Sequence, residues 1–146
     1  MANRISNIEE LAAALMPTME GMVAKMADRV YQTLNYFLQS YYNSYDPSSY
    51  RRQYDFLRSA VKVEPKRIGN RVVASVYIDY ESMDNYYNAT GYQVAEWANH
   101  GLHGGLALGD NTPFVWDATM RETINNGELL ILAIEYLKRN GIEVKR

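Results

Sequence analysis

Residues 6–42 read SNIEELAAALMPTMEGMVAKMADRVYQTLNYFLQSYY. Apolar side chains recur in this stretch at steps of three or four residues, at positions 8, 11, 15, 19, 22, 26, 30, 34, 37 and 41. That spacing is typical of one face of an α-helix. Ser6 and Glu9 have the spacing of a capping box, which marks a helix start. The stretch therefore predicts a helical N-terminal region.

Pro17 lies inside this predicted helix. Its ring nitrogen carries no hydrogen, and in a helix interior the ring clashes with the preceding turn. We therefore expect a kink or a break near Pro17, with an N-terminal arm or short helix over residues 1–16 and a long helix over residues 17–41. Turn-forming residues at positions 43–49 end the long helix.

A β-hairpin is predicted over residues 55–80. Val61 and Val63 alternate with polar residues, and after the turn signal Gly69-Asn70 a second run alternates in the same way. The apolar positions of the second run are Val72, Ala74, Val76 and Ile78. Alternation with a period of two is typical of a strand with one buried face. We expect the two runs to form an antiparallel hairpin with one buried face.

Glycine and aromatic residues concentrate in residues 91–118, which read GYQVAEWANHGLHGGLALGDNTPFVWDA. This stretch holds both histidines, both tryptophans and five of the nine glycines. Its glycines predict a flexible loop over residues 99–111. A last helix is predicted over residues 117–140, in two pieces around Asn126-Gly127. The prediction is a single α+β domain, residues 1–146, in which the N-terminal and C-terminal helices pack on a small antiparallel sheet.

Cysteine is absent, which excludes disulfides, thiolate metal ligands and a cysteine nucleophile. Tyrosine is abundant, with 13 residues against 3 phenylalanines, and its rigid ring with a polar tip is common at protein interfaces. The first residues lack the apolar core of a signal peptide, and no stretch is apolar over the length that spans a bilayer. We therefore expect synthesis and assembly in the cytoplasm without a membrane partner.

Charge is divided between two consecutive segments. Residues 50–71 contain seven basic and two acidic side chains, whereas residues 72–120 contain six acidic side chains and neither lysine nor arginine. The net charge of −2 conceals this division. A head-to-tail contact between copies requires two different and complementary patches, which such a division supplies.

Two alternative functions come from short clusters. His100 and His103, with Asp110, suggest a small metal-dependent enzyme, although the surrounding glycines argue against the rigid ligand set that zinc requires. Arg51 and Arg52, interleaved with tyrosines, suggest a nonspecific DNA-binding domain. The sequence contains no GxSxG motif, phosphate-binding glycine loop or dinucleotide fingerprint. We therefore assign no catalytic residue, metal ligand or cofactor.

Two stretches together resemble a known family. The first is YDPSSYRR at residues 45–52, which precedes the predicted hairpin. In the second, Glu96-Trp97 leads into the glycine-rich loop, and Thr112-Pro113-Phe114 leads into the last helix. In this order and over residues 18–140, the chain resembles the neck or tail-completion proteins of long-tailed bacteriophages. Asn99-His100-Gly101 stands where that family often has Gly-Thr.

The resemblance implies a structural protein of the virion without catalytic activity. Such a protein forms a homo-oligomeric ring in the head–tail connector, contacts the adjacent connector and tail proteins, and surrounds the packaged DNA. The basic residues expected at a subunit interface or at the DNA channel are Arg51, Arg52, Arg58, Lys66, Arg67 and Arg71. The residues expected to dock on the adjacent ring are Tyr92, Glu96, Trp97, His100, His103 and Asp110.

Overall fold

A computed structural model describes residues 5–43, 57–82, 90–100, 102–103, 106–107 and 115–144. Its helices are α1 (Ile8–Asn43), α2 (Gly91–Asn99), α3 (Val115–Met120) and α4 (Glu128–Arg139), with a 3-10 turn at Tyr80–Ser82 and a π-helical turn at Arg121–Asn125. Its strands are β1 (Ala60–Ile68), β2 (Arg71–Ile78), β3 (Leu102–His103) and β4 (Leu106–Ala107). Each of the two pairs, β1 with β2 and β3 with β4, is antiparallel. The predicted α+β class, with a long N-terminal helix, C-terminal helices and a β-hairpin, is confirmed.

Helix α1 is one continuous element of 36 residues that passes through Pro17. Of the two outcomes expected at Pro17, the break between a short and a long helix is therefore wrong, and the kink stays a prediction. A proline removes one hydrogen bond from the ladder, whereas the helix on either side retains its own bonds.

The cap of α1 also differs from the predicted Ser6–Glu9 pair, by one residue. The Glu10 amide donates to Asn7 Oδ1 at 2.8 Å, and the Glu10 carboxylate accepts bonds from the amide and the hydroxyl of Ser6. These two bonds lower the pKa of Glu10 from its ordinary value. Asn7 thus occupies the capping position that the sequence pattern assigned to Ser6.

The hydrophobic core lies at the C-terminal end of α1. Leu34 and Leu38 are fully buried there, and Tyr41 and Tyr42 are nearly so. They pack with Ala60 of β1, Ala98 of α2 and Val115 of α3. The apolar series of α1 is therefore deeply buried only near its end, whereas Ile8 at its beginning is 83% exposed.

The β1–β2 hairpin runs along α1, and two charged side chains of β1 pair with acidic residues of that helix. Lys62 pairs with Asp28 and lies over the ring of Tyr31. Further along β1, Arg67 pairs with Glu20. The bond to Asp28 raises the pKa of Lys62 above its ordinary value. Residue numbers rise from Lys62 to Arg67 along β1, whereas those of their partners on α1 fall from Asp28 to Glu20. The strand and the helix therefore run antiparallel.

Helix α4 packs against α1, also antiparallel. Glu128 at its start pairs with Arg29, and Tyr136 in its last third lies against Gly21. The two-piece C-terminal helix is confirmed, because Gly127 adopts a φ of 79° between the π-helical turn and α4. Thr119 and Thr123 are fully buried before this junction, and their hydroxyls donate to the carbonyls four residues earlier.

The close approach of Tyr136 to Gly21 generates a stability prediction. A Cβ at position 21 would overlap the Tyr136 hydroxyl and lie 2.9 Å from its Cζ. Alanine favours a helix over glycine by about 1 kcal/mol. We expect Gly21→Ala to destabilise the native protein but to stabilise a Tyr136→Ala variant by about that amount. Denaturant unfolding of the four proteins in this cycle measures both effects, and an equal effect in the two backgrounds would contradict the contact.

Candidate subunit interface

The β1–β2 hairpin has one face toward α1 and one face away from it. Residues directly opposite each other in an antiparallel pair lie on the same face. Lys62 lies opposite Val76, and Ala60 opposite Ile78. These residues belong to the inner face, because Lys62 contacts α1 and both Val76 and Ile78 pack on the core.

The other side of the hairpin is here called the outer face. Its cross-strand pairs are Val61 with Tyr77, Val63 with Ser75, Lys66 with Val73, and Ile68 with Arg71. Ile68, Val73 and Tyr77 are exposed by 59%, 43% and 44%. Among the described elements, α1 is the main contact of the hairpin, and it lies on the inner side.

This register corrects the prediction of a single buried face shared by the two apolar runs. The alternation of β2 is confirmed, since its even-numbered residues are half-buried and its odd-numbered residues are exposed. Val61 and Val63, however, lie on the outer face, opposite exposed residues of β2. Alternation defines the two faces of each strand but not which face of one strand meets which face of the next.

A β-bulge in β1 decides which basic residues point outward. Between the pairs Val63–Ser75 and Lys66–Val73, β1 contains one more residue than β2. Pro65 lies in this bulge, where a missing amide hydrogen costs no regular ladder bond. The extra residue exchanges the faces of the positions that follow, so that Arg67 turns toward α1 and Lys66 turns outward.

The six basic residues predicted at an interface therefore have different surroundings. Arg51 and Arg52 lie outside the described residues, and Arg58 is exposed in the turn before β1. Arg67 pairs within the chain with Glu20. Lys66 and Arg71 are exposed on the outer face, and neither forms an ion pair with a described residue. In the described part of the basic cluster, these two cations lie among apolar neighbours and remain open to a partner.

The residues predicted to dock on an adjacent ring lie partly on α2. Thr90 and Gln93 form a capping box at its start. Tyr92 is exposed and packs edge-to-face against Tyr80, with ring centroids 5.3 Å apart. Glu96 is exposed one turn later, and Trp97 is half-buried. Tyr92 and Glu96 thus share a face of α2 that is open to a partner.

The two histidines lie on different elements. His100 is exposed at the C-terminal cap of α2, and His103 lies in β3. β3 and β4 form a small pair within the stretch predicted to be a loop, and Asp110 lies outside the described residues. Within the described parts of the chain, no group of three or more histidine and acidic side chains is arranged to hold a metal ion.

The glycine-rich stretch begins and ends at neighbouring positions. The Asp117 amide at the start of α3 donates to Asn99 Oδ1 at the end of α2, at 2.8 Å. This bond joins the two ends of a segment of 17 intervening residues, 100–116, and satisfies an amide that the first turn of α3 leaves without a helical partner. The sequence contains no motif that predicts this contact.

An open cleft of about 560 Å³ lies between α1 and the π-helical turn. Its charged lining residues are Arg29, Arg121, Glu122 and Glu128. They are paired as Arg29 with Glu128 and Arg121 with Glu122. Since these charges compensate each other, the cleft has no unbalanced group that would select a ligand.

The bond between Asn99 and Asp117 generates a second stability prediction. Asn99→Ala removes the acceptor and should lower the free energy of unfolding by about 1 kcal/mol. Asn99→Asp retains an acceptor oxygen and should lose less. Denaturant unfolding of both variants tests this, and equal losses would show that the hydrogen bond contributes little.

Comparisons with known proteins complete this description. A family model described as YomN matches residues 7–139. No curated protein and no solved structure matches the chain. None of the described helices is both long and apolar enough to cross a membrane. The matched region contains every described helix and both strands of the hairpin. YomN is a phage-derived protein, of the type found in SPbeta-like prophages of Bacillus. The chain therefore belongs to the phage-derived YomN family.

Proposed function

We propose that this protein is a structural component of the virion that forms a homo-oligomeric ring in the head–tail connector. The ring joins the DNA-filled capsid to the tail and contacts the connector and tail proteins above and below it. Membership of a phage-derived family supports this proposal at the level of origin. The sequence resemblance to neck and tail-completion proteins supports the finer assignment.

The main observation in support of a ring is the outer face of the hairpin. It combines exposed apolar side chains with Lys66 and Arg71, which have no acidic partner among the described residues. Monomeric proteins rarely expose contiguous apolar patches unless these bind a partner. Acidic side chains are exposed elsewhere on the chain, for example Glu9 and Glu10 on α1 and Asp117 on α3. A second copy therefore carries the charges that would complement the outer face.

Contacts with the rings above and below are assigned to α2 and the glycine-rich stretch that follows it. Tyr92 and Glu96 are exposed on α2, and His100 follows them at its end. Tyrosine is enriched at protein interfaces because it buries a large ring and keeps a hydroxyl for hydrogen bonding. The packaged DNA passes through the ring without sequence readout, because contacts to phosphates carry no base information.

The ring is tested by the molar mass of the protein in solution. Light scattering over a range of protein concentrations should show a transition from monomer to one closed oligomer. Raising the salt concentration from about 0.1 M to about 1 M should shift this transition to higher protein concentration, since the Debye length falls from about 10 Å to about 3 Å. A monomer under all these conditions would contradict a self-assembling ring.

Charge reversal on the outer face is the matching variant. Lys66→Glu together with Arg71→Glu should block assembly and leave the far-ultraviolet circular dichroism of the monomer unchanged, because both side chains are exposed. Lys138→Glu together with Arg139→Glu changes the net charge equally at exposed positions of α4 and serves as the control. Equal loss of assembly in the two variants would show that total charge, rather than the outer face, controls association.

A further inference from the structure

The N-terminal end of α1 extends past the contacts that attach it to the rest of the protein. Among the contacts described above, Arg67 of the hairpin reaches Glu20 and Tyr136 of α4 reaches Gly21, and Met16 is the last buried one of the described residues toward the N-terminus. Residues 5–15, here called the arm, precede both contacts. All but two of them, Ala12 and Leu15, are exposed, and these two are half-buried. The helical part of the arm, residues 8–15, is about 12 Å long at the usual rise per residue.

The arm is amphipathic, and the first two residues of its apolar side are exposed. Ile8, Leu11 and Leu15 follow each other at helical spacing on one side, and Ile8 and Leu11 are 83% and 43% exposed. Ala13 lies on the opposite side of the helix. Such a stripe normally faces a hydrophobic partner. In the described part of the chain, Ile8 and Leu11 are left exposed, whereas Leu15 is half-buried.

The arm carries a net negative charge. Residues 5–24 contain Glu9, Glu10 and Glu20 and neither lysine nor arginine. Glu20 already pairs with Arg67, so Glu9 and Glu10 are the acidic side chains at the exposed end. The outer face of the hairpin has the opposite sign, through Lys66 and Arg71, and a similar apolar character. The arm and the outer face are therefore complementary in charge and in polarity.

The two surfaces cannot meet within one chain. The arm is a direct continuation of α1, and the hairpin turns its inner face toward that same helix. The outer face points away from α1, so the arm would have to leave the helix and pass around the hairpin to reach it. A second copy has no such restriction.

We propose that the arm of one copy binds the outer face of the β1–β2 hairpin of the next copy. The apolar stripe of the arm packs on Val61, Val73 and Tyr77, and its acidic end lies near Lys66 and Arg71. The contact is head-to-tail, since each copy uses two different surfaces and offers one of each to a further copy. Its repetition closes the ring, and in that last step the inference rests on the proposed function.

Single cysteines give a direct test, because the native chain contains none. Leu11→Cys on the arm and Val73→Cys on the outer face are prepared separately, mixed, and oxidised with oxidised glutathione. The control pair combines Leu11→Cys with Leu130→Cys, a residue of α4 that is 62% exposed. We expect the disulfide between positions 11 and 73 to exceed that of the control pair by about tenfold, since contact raises the effective thiol concentration.

A second variant tests the apolar part of the contact without a thiol. Ile8→Asp should raise the protein concentration at half-assembly by about 30-fold or more, as expected for the loss of a central apolar anchor. Ala13→Asp, on the opposite side of the arm, introduces the same charge and should have little effect. Because Ile8 is exposed in the monomer, circular dichroism and the melting temperature of both monomers should match the native values.

The outcomes separate the interface from the ring. Rings that persist in Ile8→Asp, without a disulfide between positions 11 and 73, would overturn the arm–hairpin contact and leave the ring intact. Dominant disulfides between two Leu11→Cys chains would also overturn it, since the arms would then pair with each other. Arm–hairpin disulfides in a protein that forms no closed oligomer would support the contact and overturn the ring. An absence of any association would overturn both.

Discussion

The burial of Leu34 and Leu38 near the end of α1 is the constraint on which the rest of the structure depends. Ala60 of β1, Ala98 of α2 and Val115 of α3 all reach this point, although they are distant from one another in the sequence. The hairpin, α2 and the C-terminal helices are thus positioned relative to one helix. The buried hydroxyls of Thr119 in α3 and Thr123 in the π-helical turn donate hydrogen bonds to backbone carbonyls. Among the described residues, no buried side-chain polar atom is left without a hydrogen-bond partner.

A core placed at one end of a 36-residue helix leaves the other end with little to cover it. The hairpin and α4 both extend back along α1 to Glu20 and Gly21, and burial on α1 continues only as far as Met16. The apolar pattern nevertheless continues to Ile8. Retaining apolar residues on an exposed helix is costly for solubility unless another protein covers them. The proposed ring would supply that cover from the next copy, which links the shape of the monomer to the proposed assembly.

The basic residues of the hairpin have two separate roles. Lys62 and Arg67 hold the hairpin against α1 through Asp28 and Glu20. Ion pairs at partly exposed positions contribute little stability each. The inner face of the hairpin is the one whose Ala60, Val76 and Ile78 pack in the core. Lys66, immediately before Arg67 in the sequence, points the other way because of the bulge at Pro65. One extra residue in a strand thus separates a side chain that maintains the fold from one that is open to a partner.

The sequence by itself determined the class of the fold and the position of most of its elements. Helical periodicity predicted α1, strand alternation predicted β2, and the glycines at 69 and 127 predicted turns where positive φ angles are required. These signals are local, since each depends on neighbouring residues of one element. The division of the last helix at Asn126-Gly127 was predictable for the same reason.

The tertiary structure alone decided which side chains each surface presents. The continuity of α1 through Pro17, the bond from Asp117 to Asn99, and the outward direction of Val61, Val63 and Lys66 have no local signature. Register and burial depend on which distant elements meet, and a bulge of one residue reverses every face that follows it. The sequence therefore showed that basic and apolar residues occur together in the hairpin, whereas only the fold separated those that hold it to α1 from those that remain exposed.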